Sequence, residues 1–512
     1  MDTQYKHFRS LWDQDPNKKQ FPQLTGRHQV DVVIVGGGIT GISAAMLLAK
    51  AGKKSIVLEQ YEVGSGTTGH STGNLYAPTG QHLTEISAKH NKSVMKQVAQ
   101  SRLSAMDQIK RWVGEFALSC SYKEVPWHLF STRETDSATI KDEFDAAEQA
   151  GLPAENSVPL TFPFPTDVML TLRNQAQMNP LQYVQQLAAS IDPSFCNIYE
   201  NSKVLEIGSG SPVEVKTAMG SVTADHVILA THSPIGLFAV QSAMEVKREY
   251  AMAVKVKNEL PPPAIYWDLH RADQAMFSVR VCENSSGKYL LVLHEQHKTG
   301  HGNQKTNFPI ETEKYIRSHF DVEQISYIWS AQKYSSVDKL PYIGSSPIQK
   351  NCHIATGFAA DGLVYGTLAA MIISDQILDN PNDFQHLYKI RVPAMGSLPK
   401  FVQHNLHILG DLVADLLTSP ESEFSKITPG EGEVIKVEGK HLAVFRSDED
   451  HVYAVSAICP HMGCTVHWNK FEKSWDCPCH GSRFDILGEV LEGPAIKALE
   501  TVAVNQKLGN RD

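Results

Sequence analysis

Two short cysteine–histidine pairs give this 512-residue chain its plainest chemistry: Cys459-Pro-His461 and Cys477-Pro-Cys479-His480, with fifteen residues between them. Thiolates and neutral imidazoles suit iron and zinc. Two thiolates on one iron and two imidazoles on a second would hold a two-iron, two-sulfur cluster. Imidazole ligation raises the potential of such a cluster above that of an all-cysteine one. Four ligands of these types also suit a tetrahedral zinc ion. Zinc, however, leaves Cys464 and Cys479 unexplained. That spare pair stands where one disulfide would tie the two loops together. Two solvent loops with chance cysteines are the plain alternative.

The Pro and Gly positions add to the pattern: Cys459-Pro-His461-Met-Gly-Cys464 and Cys477-Pro-Cys479-His480-Gly-Ser482. The whole resembles the Rieske family. The resemblance implies that Cys459, His461, Cys477 and His480 bind a [2Fe–2S] cluster and that Cys464–Cys479 is the bridge. It implies an all-β base under the ligand loops, with Gly430–Val437 and Leu442–Phe445 among its strands. Gly493-Pro494-Ala is similar to the family's Pro-rich loop over the cluster. Ser482 is placed to donate to a bridging sulfide. Most high-potential Rieske proteins carry a tyrosine two residues further on; Phe484 stands there here, so one hydrogen bond to a ligand sulfur is missing.

A second constellation lies near the other end. Val30-Asp-Val-Val-Ile-Val35 runs into Gly36-Gly37-Gly38-Ile-Thr-Gly41, then a small-residue helical stretch, then Ser55-Ile-Val-Leu-Glu59. In this strand–turn–helix–strand order, Gly36 allows the tight turn, Gly38 lets backbone approach a pyrophosphate, and Gly41 lets helix and strand pack closely. The helix N-terminus then faces the phosphates. Glu59 ends the second strand, placed to accept from ribose hydroxyls. Gly208-Ser-Gly has no such strand–helix setting.

Further along come a small-residue loop, Gly64–Gly73, containing Thr67, Thr68 and His70, and a strand ending Ala230-Thr231. Asp338-Lys-Leu-Pro341-Tyr-Ile-Gly344 and Gly357–Gly362 follow, the latter opening a long apolar helix. This order is similar to FAD-dependent oxidoreductases of the D-amino-acid oxidase superfamily, which includes glycine and sarcosine oxidases, over roughly residues 28–385. The resemblance implies FAD, held by Gly36, Gly38, Gly41, Glu59, Thr67, Thr68, His70, Ala230, Thr231, Gly357 and Gly362. Some relatives attach FAD covalently through a histidine in this loop; for His70 the expectation is a loop histidine with a local hydrogen bond. The middle of the chain is expected to supply an antiparallel substrate sheet. Arg280 is a candidate clamp for a substrate carboxylate, against an ordinary ion-pair role. Tyr266 and His294 are candidates for the flavin pocket, against structural roles. His297 and Lys298 are weighed in the same way. Asp338 reads as a structural cap.

The expected fold is an α/β FAD-binding Rossmann-type domain with an interleaved antiparallel-sheet substrate domain, plus a C-terminal all-β Rieske domain. The expected boundaries are 1–388 for the oxidoreductase, 389–423 for a helical linker and 424–512 for the Rieske domain. Dinucleotide-binding segments fall at about 28–80, 200–240 and 340–385. A net charge of −9 and the lack of basic runs argue against nucleic-acid binding. No apolar run is long enough to span a membrane, though peripheral association is compatible with the linker's apolar stripe. The N-terminus lacks a secretory apolar core. Cys120, Cys196, Cys282 and Cys352 are scattered singly, and a cytoplasmic location is expected.

The expected function is oxidation of an amine or amino acid by FAD, with electrons leaving through the cluster to an unidentified one-electron acceptor. The alternatives are a peroxide-forming amine oxidase with an accessory cluster and a redox-sensing or docking flavo-iron-sulfur protein. A Rieske oxygenase needs a mononuclear iron on two histidines and a carboxylate, and no convincing set occurs.

Overall fold

The computed structural model describes residues 9–12, 18–159, 161–236, 239–269, 277–301, 308–349, 351–391 and 424–503. The helical linker expected at 389–423 falls almost wholly outside them.

The chain forms two compact units. The first comprises Met1–His232, Arg248–Gln296 and Asn307–Gly396. Its eight-stranded sheet has parallel strands at the centre, where Gly26–Val35 lies between Gly220–Leu229 and Ser55–Leu58. Val32, Val33 and Ile34 are fully buried, as expected of a parallel strand covered on both faces. Helices Ile39–Lys50 and Gly362–Ile377 are apolar nearly all round, and at least ten residues of each are buried. A helix of that composition is stable only inside a core.

The second sheet is nine-stranded and mixed. Its central order runs Gly287–Lys298, Phe277–Asn284, Ile265–Asp268, Lys123–Phe130, Met169–Gln177. One face of it packs into the same core as the dinucleotide-type helices: Trp127, Ile265, Trp267 and Leu291 share a cluster with Ile39, Leu363 and Val364. Helix Lys92–Glu115 starts at Asn91, whose side chain accepts from the Val94 N–H. It buries Met95, Val98, Ala99, Arg102, Ala105, Met106, Ile109 and Trp112, a stripe at helical spacing with one charge in it.

The second unit joins Ser233–Lys247 and His297–Thr306 to Ser397–Asp512. Its C-terminal stretch holds two small antiparallel sheets, one from Gly432 to Ser456 and one from His467 to Glu492. Among the described residues, no helix is long and apolar enough to cross a membrane.

Candidate functional site

The Gly-rich turn is built by contacts that only glycine permits. Gly36 has φ +108°, and a Cβ there would lie 2.5 Å from the Ala230 carbonyl oxygen. A Cβ on Gly41 would lie 1.9 Å from the Gly36 oxygen. The strand end Ala230–Thr231 thus closes directly on the turn. Gly38 differs: its Cβ position meets only the Thr68 hydroxyl oxygen, at 3.1 Å, and is otherwise open. That opening is the approach a pyrophosphate needs, so the turn fits a dinucleotide. Thr68 also accepts from the Ile39 N–H at 3.1 Å, so the loop covers part of the helix N-terminus that sequence reasoning left open. Glu59 is buried and accepts from the N–H groups of Gly37 at 2.7 Å and Tyr61 at 2.9 Å. Burial raises its pKa against those donors.

His232, passed over in the sequence, draws the three dinucleotide segments together. Its Nδ1 meets the Thr67 hydroxyl at 3.2 Å, and its carbonyl accepts from Thr356 at 2.6 Å. His70 Nδ1 pairs with the Gly66 carbonyl at 2.9 Å, within its own turn. Gly357 has φ +81° and precedes the helix opened by Gly362. The residue just before that helix, Asp361, does not cap it with its side chain. It pairs instead with the fully buried Arg102 at 3.3 Å and accepts from the Gly80 N–H. Arg102 also donates to the carbonyls of Tyr76 at 2.9 Å and Ala77 at 3.0 Å, and lies over the Tyr365 ring. An arginine in an apolar stripe was the one sequence signal for this network.

Strand alternation divides the three substrate-pocket candidates. Ile265 is opposite both Trp127 and Arg280, so Trp127, Trp267 and Arg280 share the face in the common core. Tyr266 is on the other face, where it stacks with His128 and donates to the Pro262 carbonyl at 2.7 Å. Phe277 and His294 are opposite each other on that same side, and their rings stack at 4.2 Å. Tyr266 and His294 therefore point away from the dinucleotide layer. Trp267, next to Tyr266, points toward it and packs within 4.8 Å of Tyr76. Arg280 is buried and uses Nη1 on the carbonyls of Thr72 and Met178. Its Nε has no hydrogen-bond partner among the described residues. Burial lowers Arg280 to about 10, so it stays charged at neutral pH. Asp338 is buried and held by both terminal and inner nitrogens of Arg391.

At the other end, the two cysteine–histidine loops repeat one backbone pattern. The Cys459 carbonyl accepts from Gly463 N–H and the Cys477 carbonyl from Gly481 N–H. The Cys459 N–H donates to Cys464 and the Cys477 N–H to Ser482. Gly463 and Gly481 both have φ near +80°, which a side chain would strain. Cys464 and Cys479 are joined, with Cα atoms 6.5 Å apart. The Cys459 and Cys477 thiols hydrogen-bond each other, and that bond is the largest cause holding the Cys459 thiol below its ordinary range. The His461 and His480 rings are 5.1 Å apart and nearly perpendicular. The sulfurs of Cys464, Cys477 and Cys479 also lie within 4.8 Å of one another. Two of those are spent on the disulfide, so the usable donors are two thiols and two imidazoles. That set fits a [2Fe–2S] cluster. Ser482 accepts from the Ala495 N–H at 3.0 Å and hydrogen-bonds Cys459. Arg483, missed in the sequence, is buried against Glu472, Asp476 and Glu492 and braces the second loop.

Comparison with known families matches residues 31–376 to the FAD dependent oxidoreductase model and residues 419–503 to the Rieske [2Fe-2S] domain model. The chain belongs to the FAD-dependent oxidoreductases and carries a Rieske domain. It binds FAD and a [2Fe–2S] cluster. YhfW of Bacillus subtilis, named as a Rieske 2Fe-2S iron-sulfur protein, is 32% identical over 500 residues, covering 96% of this chain and 97% of its own. Gamma-glutamylputrescine oxidoreductase of Escherichia coli is 27% identical over 240 residues, 45% of this chain and 56% of its own. Glycine oxidase from Geobacillus kaustophilus shares the fold, with a TM-score of 0.57 at 16% identity over 71% of this chain and 99% of that one.

Proposed function

We propose that this oxidoreductase oxidises an amine or amino acid and delivers the electrons to a one-electron acceptor. The observation that carries this reading is the presence of two complete sites in one chain: the Gly36–Gly41 turn closed by Ala230, and two thiols and two imidazoles on tied loops. Bound FAD supplies two-electron acceptance from a C–H bond beside nitrogen, and the cluster supplies one-electron exchange. Glu59 holds the ribose, Gly38 admits the pyrophosphate, and Thr67, Thr68, Ala230, Thr231, Gly357 and Gly362 line the cofactor. Cys459, His461, Cys477 and His480 are the iron ligands, and Ser482 donates toward the cluster's sulfur. Residues 1–388, apart from the stretches 233–247 and 297–306 that belong to the second compact unit, form the oxidoreductase part, and residues 424–512 form the Rieske part.

Arg280 is the substrate-orienting candidate, because it alone of the three lies on the dinucleotide-facing side and keeps its charge. The similarity to gamma-glutamylputrescine oxidoreductase supports a nitrogen-bearing substrate. Anaerobic mixing with a panel of amines and amino acids tests the first half: the flavin absorbance should bleach with at least one. The Cys477→Ser variant tests the second half. It should keep FAD, lose iron and still bleach in a single turnover, while steady reduction of a one-electron dye collapses. Full dye reduction without iron would end the relay reading, and oxygen uptake with peroxide release at the same rate would favour a simple oxidase.

A further inference from the structure

The second unit contains a hydrogen bond that the family assignment does not account for. The His461 Nε2 lies 3.1 Å from the carbonyl oxygen of Gly236, a residue 225 positions earlier in the chain. A carbonyl only accepts, so Nε2 carries the proton and donates. Nδ1 is then the nitrogen left for iron. The same carbonyl accepts a second bond, at 3.0 Å, from the side-chain amide of Gln241. That amide also donates to the Pro234 carbonyl at 2.7 Å. Gln241 is buried, at 3% exposure, so its amide is fixed by these bonds. Gly236 has φ +93°, which sets the carbonyl's direction at little cost only because the residue is glycine. Ile235, beside it, lies 3.8 Å from the Cβ position of Gly493, in the loop expected to cover the cluster.

We propose that Pro234, Gly236 and Gln241 form a built-in cap on the outer edge of His461. Gln241 is the positioning residue: it aims the Gly236 carbonyl, and the carbonyl occupies the imidazole N–H. The outer edge of this ligand is thereby committed to the chain itself and closed to a docking redox partner. The inference rests on His461 being a cluster ligand.

The test uses the full-length holoprotein with the cluster reduced. Pulsed EPR and electron–nuclear double resonance read the two remote imidazole nitrogens and their exchangeable protons. Gln241→Leu removes the amide. After transfer to deuterated buffer, one remote N–H should exchange about five- to tenfold faster in Gln241→Leu than in the wild type, the factor expected of one hydrogen bond of ordinary strength, with iron and FAD contents unchanged. The coupling of that remote nitrogen should change and the other should not. Should Gln241→Leu fail to fold, Gln241→Asn, which shortens the same amide, takes its place with the same expectation. A folded variant with both couplings and both exchange rates unchanged overturns the cap. Purified protein with no two-iron EPR signal defeats the ligand assignment beneath it, which is a separate failure.

Discussion

Replacing Arg102 with methionine should be among the most damaging single changes in the first unit. The guanidinium is 0% exposed and its partner Asp361 is 1% exposed. Removing one member of a buried pair leaves the other charged and uncompensated, which costs about 3–5 kcal/mol. The Tyr76 and Ala77 carbonyls lose their donors as well, at roughly 1 kcal/mol each. The sum is about 5–7 kcal/mol against a total stability on the order of 5–15 kcal/mol. Asp361→Asn keeps an acceptor for the arginine and should cost less, about 2 kcal/mol. The double variant should lose clearly less than the sum of the singles, with a coupling of about 1–3 kcal/mol. Urea unfolding of FAD-saturated protein, followed by flavin fluorescence, reads the first unit apart from the cluster. A loss below about 1 kcal/mol for Arg102→Met, or strict additivity in the double variant, would refute the claim that this pair holds the Tyr76–Gly80 segment to the helix beginning at Gly362.

Gly41→Ala and Gly38→Ala should both lose FAD for different reasons: the first Cβ would lie 1.9 Å from the Gly36 carbonyl oxygen and break the turn, and the second, which meets only the Thr68 hydroxyl at 3.1 Å, would stand in the opening the pyrophosphate needs; a Gly38→Ala protein with wild-type flavin content would refute the assignment of that opening. Gly300→Ala should lower the iron content and leave FAD bound, since its Cβ would lie 2.5 Å from the Pro478 nitrogen at a φ of +74°; iron assay of the purified variant checks this. Phe484→Tyr should raise the cluster potential and Ser482→Ala lower it, from a wild-type value in the lower part of the roughly −150 to +300 mV Rieske range. Voltammetry decides, and a Phe484→Tyr variant no higher than wild type counts against the missing-hydroxyl argument. Burial lowers His128 and His353 to about 4, below the usual 6.5. Between those values the unfolded chain binds more protons than the folded one, so stability falls as pH drops from 6.5 toward 4. Two such groups give a slope of up to about 2.7 kcal/mol per pH unit, and His128→Phe should flatten the urea midpoint's pH dependence by about half.

The sequence was most legible where chemistry is local. The Gly36–Gly41 turn and the Cys459–Ser482 loops are short patterns whose spacing dictates both fold and cofactor, and the family comparisons agree with FAD and a [2Fe–2S] cluster. The strands Gly432–Val437 and Lys440–Arg446 were expected through the Rieske resemblance, whereas the short strands between His467 and Glu492, such as the wholly buried Ser474–Asp476, show no alternation that a sequence could announce. Long-range choices were not legible. Which of Tyr266 and Trp267 faces the dinucleotide layer depends on register against Lys123–Phe130, a pairing across about 140 positions. Arg102 and Arg483 read as ordinary charges until their buried partners are in view. The role of His232 needs three distant segments to meet.

The make-up of the second unit sets a rule for synthesis. Its stretches at 233–247 and 297–306 leave the ribosome long before residues 459–482 exist. Until those later residues emerge, the Gly236 and Gly300 carbonyls lack the imidazoles of His461 and His467. Metal insertion therefore comes late, after translation has passed the last ligand loop. A fragment beginning at residue 397 would carry every expected iron ligand yet lack two of the three stretches of its own compact body. Transplanting that tail onto another flavoprotein should give a poorly protected centre, and genetic shuffling of this architecture must move the early loops together with the tail.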